Sequence, residues 1–307
     1  MNNKNITETS SNEFFKGIIF TFSSFLLWGF LPSYWKFLSF HASSLEITLH
    51  RIIWLFIFFT ILHLLLKRKD IITLLKNRNT RYTLLISGIM IGINWFLYIY
   101  AVNTGKIVES SLGYYINPLI SIVFGLIFLK ERLTKPQWLA VVLALIGVLI
   151  LTVKYGRLPW ISLSLAGSFA IYGLLKKIIK GDSLSCITIE TLYLFPIALF
   201  LLIRIYTLDN NIFINKPIWI FSLLILSGII TGIPLLLFAK GTQRIPLSNV
   251  GFIQYTTPTL MLLQGIFLYK ENFSITHLIS FCFIWCALLI YSLTLFKKRT
   301  NNKIINK

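Results

Sequence analysis

Ten apolar stretches of about 17–22 residues follow one another along the chain, and each is long enough to cross the roughly 30 Å hydrocarbon core of a bilayer as a helix. They are placed at about 17–36, 47–66, 83–101, 111–129, 137–153, 158–175, 187–206, 217–238, 250–269 and 276–296. Together they use roughly 200 positions at about 20 per crossing, leaving only short loops and tails. The composition agrees. Hydrophobic residues make up 56% of the 307 and charged residues 13%, about half the charged fraction of a soluble domain, at a mean hydropathy of +0.78. An ordinary soluble globule is excluded, and the expected fold class is an all-α membrane protein. The first stretch follows Lys16, is of full spanning length and lacks a small-residue cleavage site, so it is expected to be a retained helix.

The net charge of +19 would suggest nucleic acid as a partner for a soluble protein. Here the positive charges lie between apolar segments and alternate in density, which points to orientation in a membrane and to no nucleic-acid partner. Of the 29 Lys and Arg, 21 fall on the side that holds both termini, 7 on the other, and Arg51 lies inside a helix. The basic excess marks the cytoplasmic face, so both termini are expected in the cytoplasm. Cys186, Cys282 and Cys286 lie in or beside apolar segments and act as small hydrophobes. Cys282 and Cys286 share a helix face, but without a third ligand they make no metal site; no metal and no cofactor is expected.

An internal repeat carries more information. Pro118, Gly125, Lys130 and Glu131 recur 140 residues later as Pro258, Gly265, Lys270 and Glu271, and Gly88 and Gly92 recur as Gly228 and Gly232. At an offset of 144 residues, Ser24, Phe25, Gly29 and Glu46 match Ser168, Phe169, Gly173 and Glu190. The expected organisation is a tail over 1–16, a first repeat over 17–153, a second over 158–296 and a basic tail over 297–307. Five helices per repeat is an odd number, so the second copy enters the membrane from the opposite side. Inverted repeats of this kind characterise secondary transporters, whose sites lie between the halves near the middle of the bilayer.

Several stretches resemble a known family. They are Trp28-Gly29 with Pro32, Tyr34, Trp35 and Lys36; Glu46 with His50-Arg51; Asn94-Trp95; the run from Glu109 to Pro118; Tyr172-Gly173; Glu190-Thr191; and Pro246 to Tyr255 with Pro258. Together they resemble the RarD-type (chloramphenicol-sensitivity) branch of the drug/metabolite transporter superfamily, with two EamA-type repeats. The similarity runs from about residue 16 to 295, and the Glu109–Pro118 run is its most specific part. Ser110 and Tyr115 stand where most members have Ala and Phe. The resemblance implies a ten-helix inner-membrane permease, with helices 1–4 and 6–9 around a cavity and helices 5 and 10 peripheral.

Ionisable groups inside a span cost roughly 2.5–3.5 kcal/mol at its centre on insertion scales, so each is a functional candidate. Glu46, His50 and Trp54 follow at four-residue steps on one helix face, with Arg51 about 100° round from His50. A carboxylate beside an imidazole could exchange a proton with substrate; equally, Glu46 and Arg51 could pair or snorkel at the outer interface. Glu190 matches Glu46, but the positions of His50 and Arg51 become Leu194 and Phe195, so the ionic set is one-sided. Glu190 could instead be a helix-start carboxylate favoured by the dipole.

Pro118 and Pro258 interrupt helices 4 and 9 and free the carbonyls of Tyr114 and Gln254. Matched kinks are expected there, serving either as hinges or as packing features. Irregular backbone at membrane depth must be covered by protein or line a cavity, which nominates Tyr114, Tyr115, Asn117, Gln254 and Tyr255. Asn94 and Trp95 fall in the middle of helix 3, where an amide demands a partner. Glu109, just outside helix 4, is either a gate or a loop acid. Trp28, Tyr34, Trp35 and Tyr172 could stack on a solute, although Tyr34 and Trp35 also suit an interfacial belt. The expected function is transport of a small organic metabolite or drug by alternating access, with proton coupling through Glu46, His50, Arg51, Glu109 or Glu190. A membrane-embedded enzyme, a lipid-handling protein and a passive channel are the alternatives. The sequence shows no nucleotide loop, paired metal motif or nucleophile–base set. The expected partners are the bilayer and a small-molecule substrate, and a homodimer is compatible with the sequence.

Overall fold

The computed structural model describes residues 3–68, 70–104, 106–156, 159–208, 217–268 and 274–305, which are entirely helices joined by short turns. In chain order the helices are α1 (Asn3–Ser39), α2 (Ser44–Leu65), α3 (Asp70–Lys76), α4 (Arg78–Asn103), α5 (Ile107–Phe128), α6 (Lys135–Tyr155), α7 (Trp160–Ile178), α8 (Ser183–Leu208), α9 (Ile218–Thr242), α10 (Leu247–Gln254), α11 (Thr256–Phe267) and α12 (Ile275–Ile305). Among the described residues, nine helices are long and apolar enough to cross a membrane; α10 and α11, end to end, take the place of the tenth crossing. Only α3 lies outside the ten, a short helix in the basic loop between the second and third crossings. The duplicated pair Lys270-Glu271 lies outside the described residues.

Local chemistry sets many of the helix ends. Ser43 caps α2, its side chain accepting from the Glu46 backbone N–H at 3.2 Å. Thr134 and Gln137 form a capping box at the start of α6, which ends at Gly156 in a left-handed conformation, φ +72°. Past the end of α5, Lys130 takes a left-handed φ of +54°, and the next amide, that of Glu131, returns to the Gly125 carbonyl at 3.0 Å. That turn aims the Glu131 carboxylate at the other repeat, where it accepts from the first two amides of α10, Leu247 at 2.6 Å and Ser248 at 2.9 Å. Both donors are helix-start groups with no intrahelical partner, and the carboxylate also meets the positive end of the helix dipole.

Packing obeys the duplication seen in the sequence. The extensive helix contacts run between the halves and come in equivalent pairs: α1 on α9 with α4 on α7, α2 on α9 with α4 on α8, and α5 on α7 with α1 on α10 and α11. Three further contacts, α2 on α8, α5 on α10 and α6 on α12, join a helix to its own repeat equivalent and so mark the pseudo-two-fold axis. Polar contacts repeat as well. Ser24 donates to the Pro234 carbonyl at 2.8 Å, and at the matching place the Asn94 amide donates to Ser168 at 3.1 Å.

The glycines at 88 and 228 explain how the helices come so close. A Cβ on Gly88 would lie 2.9 Å from the Glu190 carbonyl oxygen, and one on Gly228 only 2.4 Å from the Trp54 carbonyl carbon. Both obstacles are backbone of the facing helix, so close approach requires glycine there.

The two copies differ at the prolines where matched kinks are expected: α5 is one helix through Pro118, whereas the second copy divides at Tyr255 into α10 and α11. Around Pro258 the chain reads Thr256-Thr257-Pro258-Thr259, against Ile116-Asn117-Pro118-Leu119 in the first copy. Thr259 turns its hydroxyl back to the Tyr255 carbonyl at 2.8 Å, which also accepts from the Thr259 amide at 3.2 Å, and Thr257 gives its own hydroxyl to the Phe25 carbonyl of α1 at 2.7 Å.

Gly228→Val is expected to lower the thermal unfolding midpoint of the detergent-purified protein markedly, by the roughly 1–3 kcal/mol of an overpacked core. Glu131→Ala, which strips the α10 cap, should cost about 0.5–2 kcal/mol in the same measurement.

Candidate functional site

A recess of about 710 Å³, counting the space continuous with solvent, lies between the two repeats and is walled by α1, α2, α4, α5, α7, α10 and α11. Its lining is rich in aromatic rings. Trp28 on α1 sits edge-on to Phe169 of α7 at 5.5 Å between ring centroids and beside Phe25 at the same distance. Polar and charged groups share the walls with them, among them Arg51, Asn94, Tyr98, Tyr114, Asn117 and Gln254.

Arg51 is the one cation among the described lining residues, and no carboxylate faces it there. It is 4% exposed, and its guanidinium carbon lies over two indoles, 4.6 Å from the centroid of Trp35 and 4.5 Å from that of Trp95. Its Nε has no hydrogen-bond partner among the described residues. Gln254 is buried at the end of α10, and its Oε1 is likewise unpartnered among them. The asparagines are used differently. Asn94 donates to the Leu165 carbonyl at 2.9 Å as well as to Ser168, and Asn117 donates to the Ala166 carbonyl at 3.1 Å while accepting from Ser121. Both amides bind α4 and α5 to α7 at the cavity wall.

Of the residues nominated from sequence, the structure brings Trp28, Arg51, Asn94, Trp95, Tyr114, Asn117 and Gln254 together in this recess. Glu46 and His50 are placed beside it, in a chain between α2 and α8. Trp54 donates to His50 Nδ1 at 3.1 Å, so the other ring nitrogen carries the proton and donates to the Tyr206 hydroxyl at 2.7 Å, which in turn donates to Glu46 at 3.0 Å. Tyr206 escaped the sequence reading because it comes from the far repeat, 160 residues from Glu46.

Tyr115 and Tyr255 sit on the pseudo-axis, outside the lining: Tyr115 donates to the Pro258 carbonyl at 3.1 Å and Tyr255 to the Tyr115 carbonyl at 3.4 Å. Pro118 and Pro258 lie at that same contact and do not line the recess. Glu109, expected just outside its helix, falls in the first turn of α5, and its side chain is outside the described residues.

Glu190 also stands apart from the cavity. It accepts from Lys176 at 2.7 Å in an ion pair 1% exposed on each side, with Tyr172 under the Lys176 ammonium at 5.2 Å. By sequence Lys176 counts among the loop cations, but α7 runs on to Ile178, so this lysine lies inside the protein. Trp35, which suits an interfacial belt by its position near a helix end, is buried at 3% against Arg51. Its neighbour Tyr34 donates to the Leu223 carbonyl. Nothing in the local sequence of α1 signals that inward turn, because Trp35 is covered by Arg51 of α2 and not by α1 itself. Lys176→Met, which strands Glu190, is expected to cost about 3–5 kcal/mol in thermal unfolding, and the double change Lys176→Met with Glu190→Leu to recover most of it.

Residues 15–153 and 158–293 each match the EamA-like transporter family. The chain is 42% identical to the uncharacterized transporter YojE of Bacillus subtilis, over 94% of this chain and 97% of that one. It is 40% identical to the protein RarD of Escherichia coli, over 90% of this chain and 93% of that one. A solved crystal structure shares the fold, with a TM-score of 0.67 at 16% identity over 91% of this chain and 98% of the other. With both repeats matched and relatives of this identity spanning nearly its whole length, the chain belongs to the EamA-like transporter family, in the RarD-type branch of the drug/metabolite transporters.

Proposed function

We propose that this membrane transporter moves a small organic solute by alternating access, and that it is a carrier and not an enzyme. The observation that supports the reading is the recess itself: it lies between two inverted repeats and takes its walls from both, so that a change in their packing alters access to it. Its walls combine ring faces with a few polar groups, as small-molecule sites do. The outermost pair, α6 and α12, pack on each other and contribute nothing to the described lining, which leaves them as support. The charge bias supports an orientation with both termini in the cytoplasm, across the inner membrane.

We also propose that coupling, where it occurs, uses the chain through Glu46, Tyr206 and His50. These three groups join α2 of one repeat to α8 of the other in one hydrogen-bonded chain that ends on the Glu46 carboxylate, the group that would take up and release the proton. In proteoliposomes, uptake of a transported solute is expected to saturate and to show counterflow; flux that does neither identifies a channel. Glu46→Gln is expected to abolish the dependence of uptake on a proton gradient while leaving counterflow at constant pH. Gradient-dependent uptake that survives the change removes Glu46 from coupling.

A further inference from the structure

We infer that the recess selects an organic anion, a carboxylate on an aromatic body with no ammonium group, and that Arg51 is the residue that reads the charge. The inference rests on the carrier reading above and names its substrate class.

The argument starts from where Arg51 sits. A guanidinium 4% exposed, with no acidic partner among the described lining residues and an unpartnered Nε, is a cation held ready for an anion that the folded chain does not itself supply in the cavity. Two indoles lie against the guanidinium, with the ring centroids of Trp35 and Trp95 at 4.6 and 4.5 Å from its central carbon. A ring face offers no lone-pair acceptor, so these contacts leave the N–H donors of the group to be used by a ligand. A carboxylate matches such donors with two parallel hydrogen bonds.

The rest of the recess describes the remainder of the solute. Phe25, Trp28 and Phe169 offer ring surface to an aromatic body. Gln254 Oε1, buried and without a donor among the described residues, calls for an N–H or O–H on that body. No Asp or Glu is among the described lining residues, so an ammonium would enter unpaired beside a buried cation. That disfavours amines outright and α-amino acids relative to the plain acid. The repeat equivalent of Arg51 is Phe195, which leaves the selecting charge on one side of the pseudo-axis only, as a solute with one charged end requires.

The test is isothermal titration calorimetry on the purified full chain with four indole probes: indole-3-acetate, its neutral amide, tryptophan and tryptamine. Octanoate is added to separate aromatic acids from lipid-like ones. The expected result is that indole-3-acetate binds at least about tenfold more tightly than the amide, and tryptamine not at all. In Arg51→Gln the acid and the amide should converge. Arg51→Lys, which keeps the charge but not the fork, should retain a reduced preference, and it carries the test if Arg51→Gln does not fold. Equal binding of acid and amide, an acid preference unchanged in either variant, or binding of no acid overturns the inference. Octanoate binding more tightly than indole-3-acetate overturns its aromatic part. Counterflow of the same probes in proteoliposomes tells the two readings apart: acid-selective binding without counterflow keeps the anion site and removes the carrier, and counterflow indifferent to charge keeps the carrier and removes the site.

Discussion

The seating of α5 on α10 at the pseudo-axis is the contact on which the rest of the structure depends. Hydrocarbon offers no hydrogen bonds, so polar groups at this depth must be answered by protein. Beside the two prolines the repeats bond to each other: the Tyr115 hydroxyl donates to the Pro258 carbonyl, and the Tyr255 hydroxyl to the Tyr115 carbonyl. Gly251 lets the helices close on this point, since a Cβ there would lie 2.7 Å from the Pro118 carbonyl oxygen. Glu131 then fastens the start of α10 from the end of α5. With the axis fixed in this way, the flanking helices are held apart on one side of it, and the recess is what remains between them.

Around that axis the polar groups are sorted by whether the protein itself completes them. Glu190 and Lys176 pair through one carboxylate oxygen, at 1% exposure, and a pair so deeply desolvated contributes little net stability while making the loss of either partner costly. Glu46, Tyr206 and His50 are completed as a chain of donors and acceptors. Asn94 and Asn117 are engaged by carbonyls of α7. Among the described residues that line the recess, Arg51 and Gln254 each keep a buried atom with no partner, Nε and Oε1, where Asn94 and Asn117 beside them are engaged.

The architecture was legible in the sequence because it is written in repeated small residues and uninterrupted apolar length. Gly88 and Gly228 stand at one offset, each against the backbone of the second long helix of the other repeat, and ten apolar stretches leave few other ways to fold. What could not be read is whatever depends on a distant helix. Lys176 looks like a loop cation until α7 is seen to continue past it to meet Glu190, and Trp35 looks like a belt residue until Arg51 covers it. Tyr206 lies 160 residues from the carboxylate it binds. The unequal fate of the two prolines was open in principle, since the threonines around Pro258 are plain in the chain. Periodicity does not register them, however, because their effect is exerted through hydroxyl bonds and not through hydrophobicity.

The presence of arginine at position 51 follows from the same sorting. A lysine at this depth would lose its proton or hold water around a compact, strongly hydrated ammonium, whereas a guanidinium keeps its charge and is more weakly hydrated. The two indoles recover part of its lost solvation, about 0.5–2 kcal/mol for each such contact depending on how dry it is. An indole face supplies no lone-pair acceptor and carries no net charge. Two tryptophans can therefore hold a charge in the interior without neutralising it, which an acidic partner could not do. The burial of Trp35 and Trp95 against Arg51 thus gives the cavity a positive charge that the fold tolerates and that is still available to a solute.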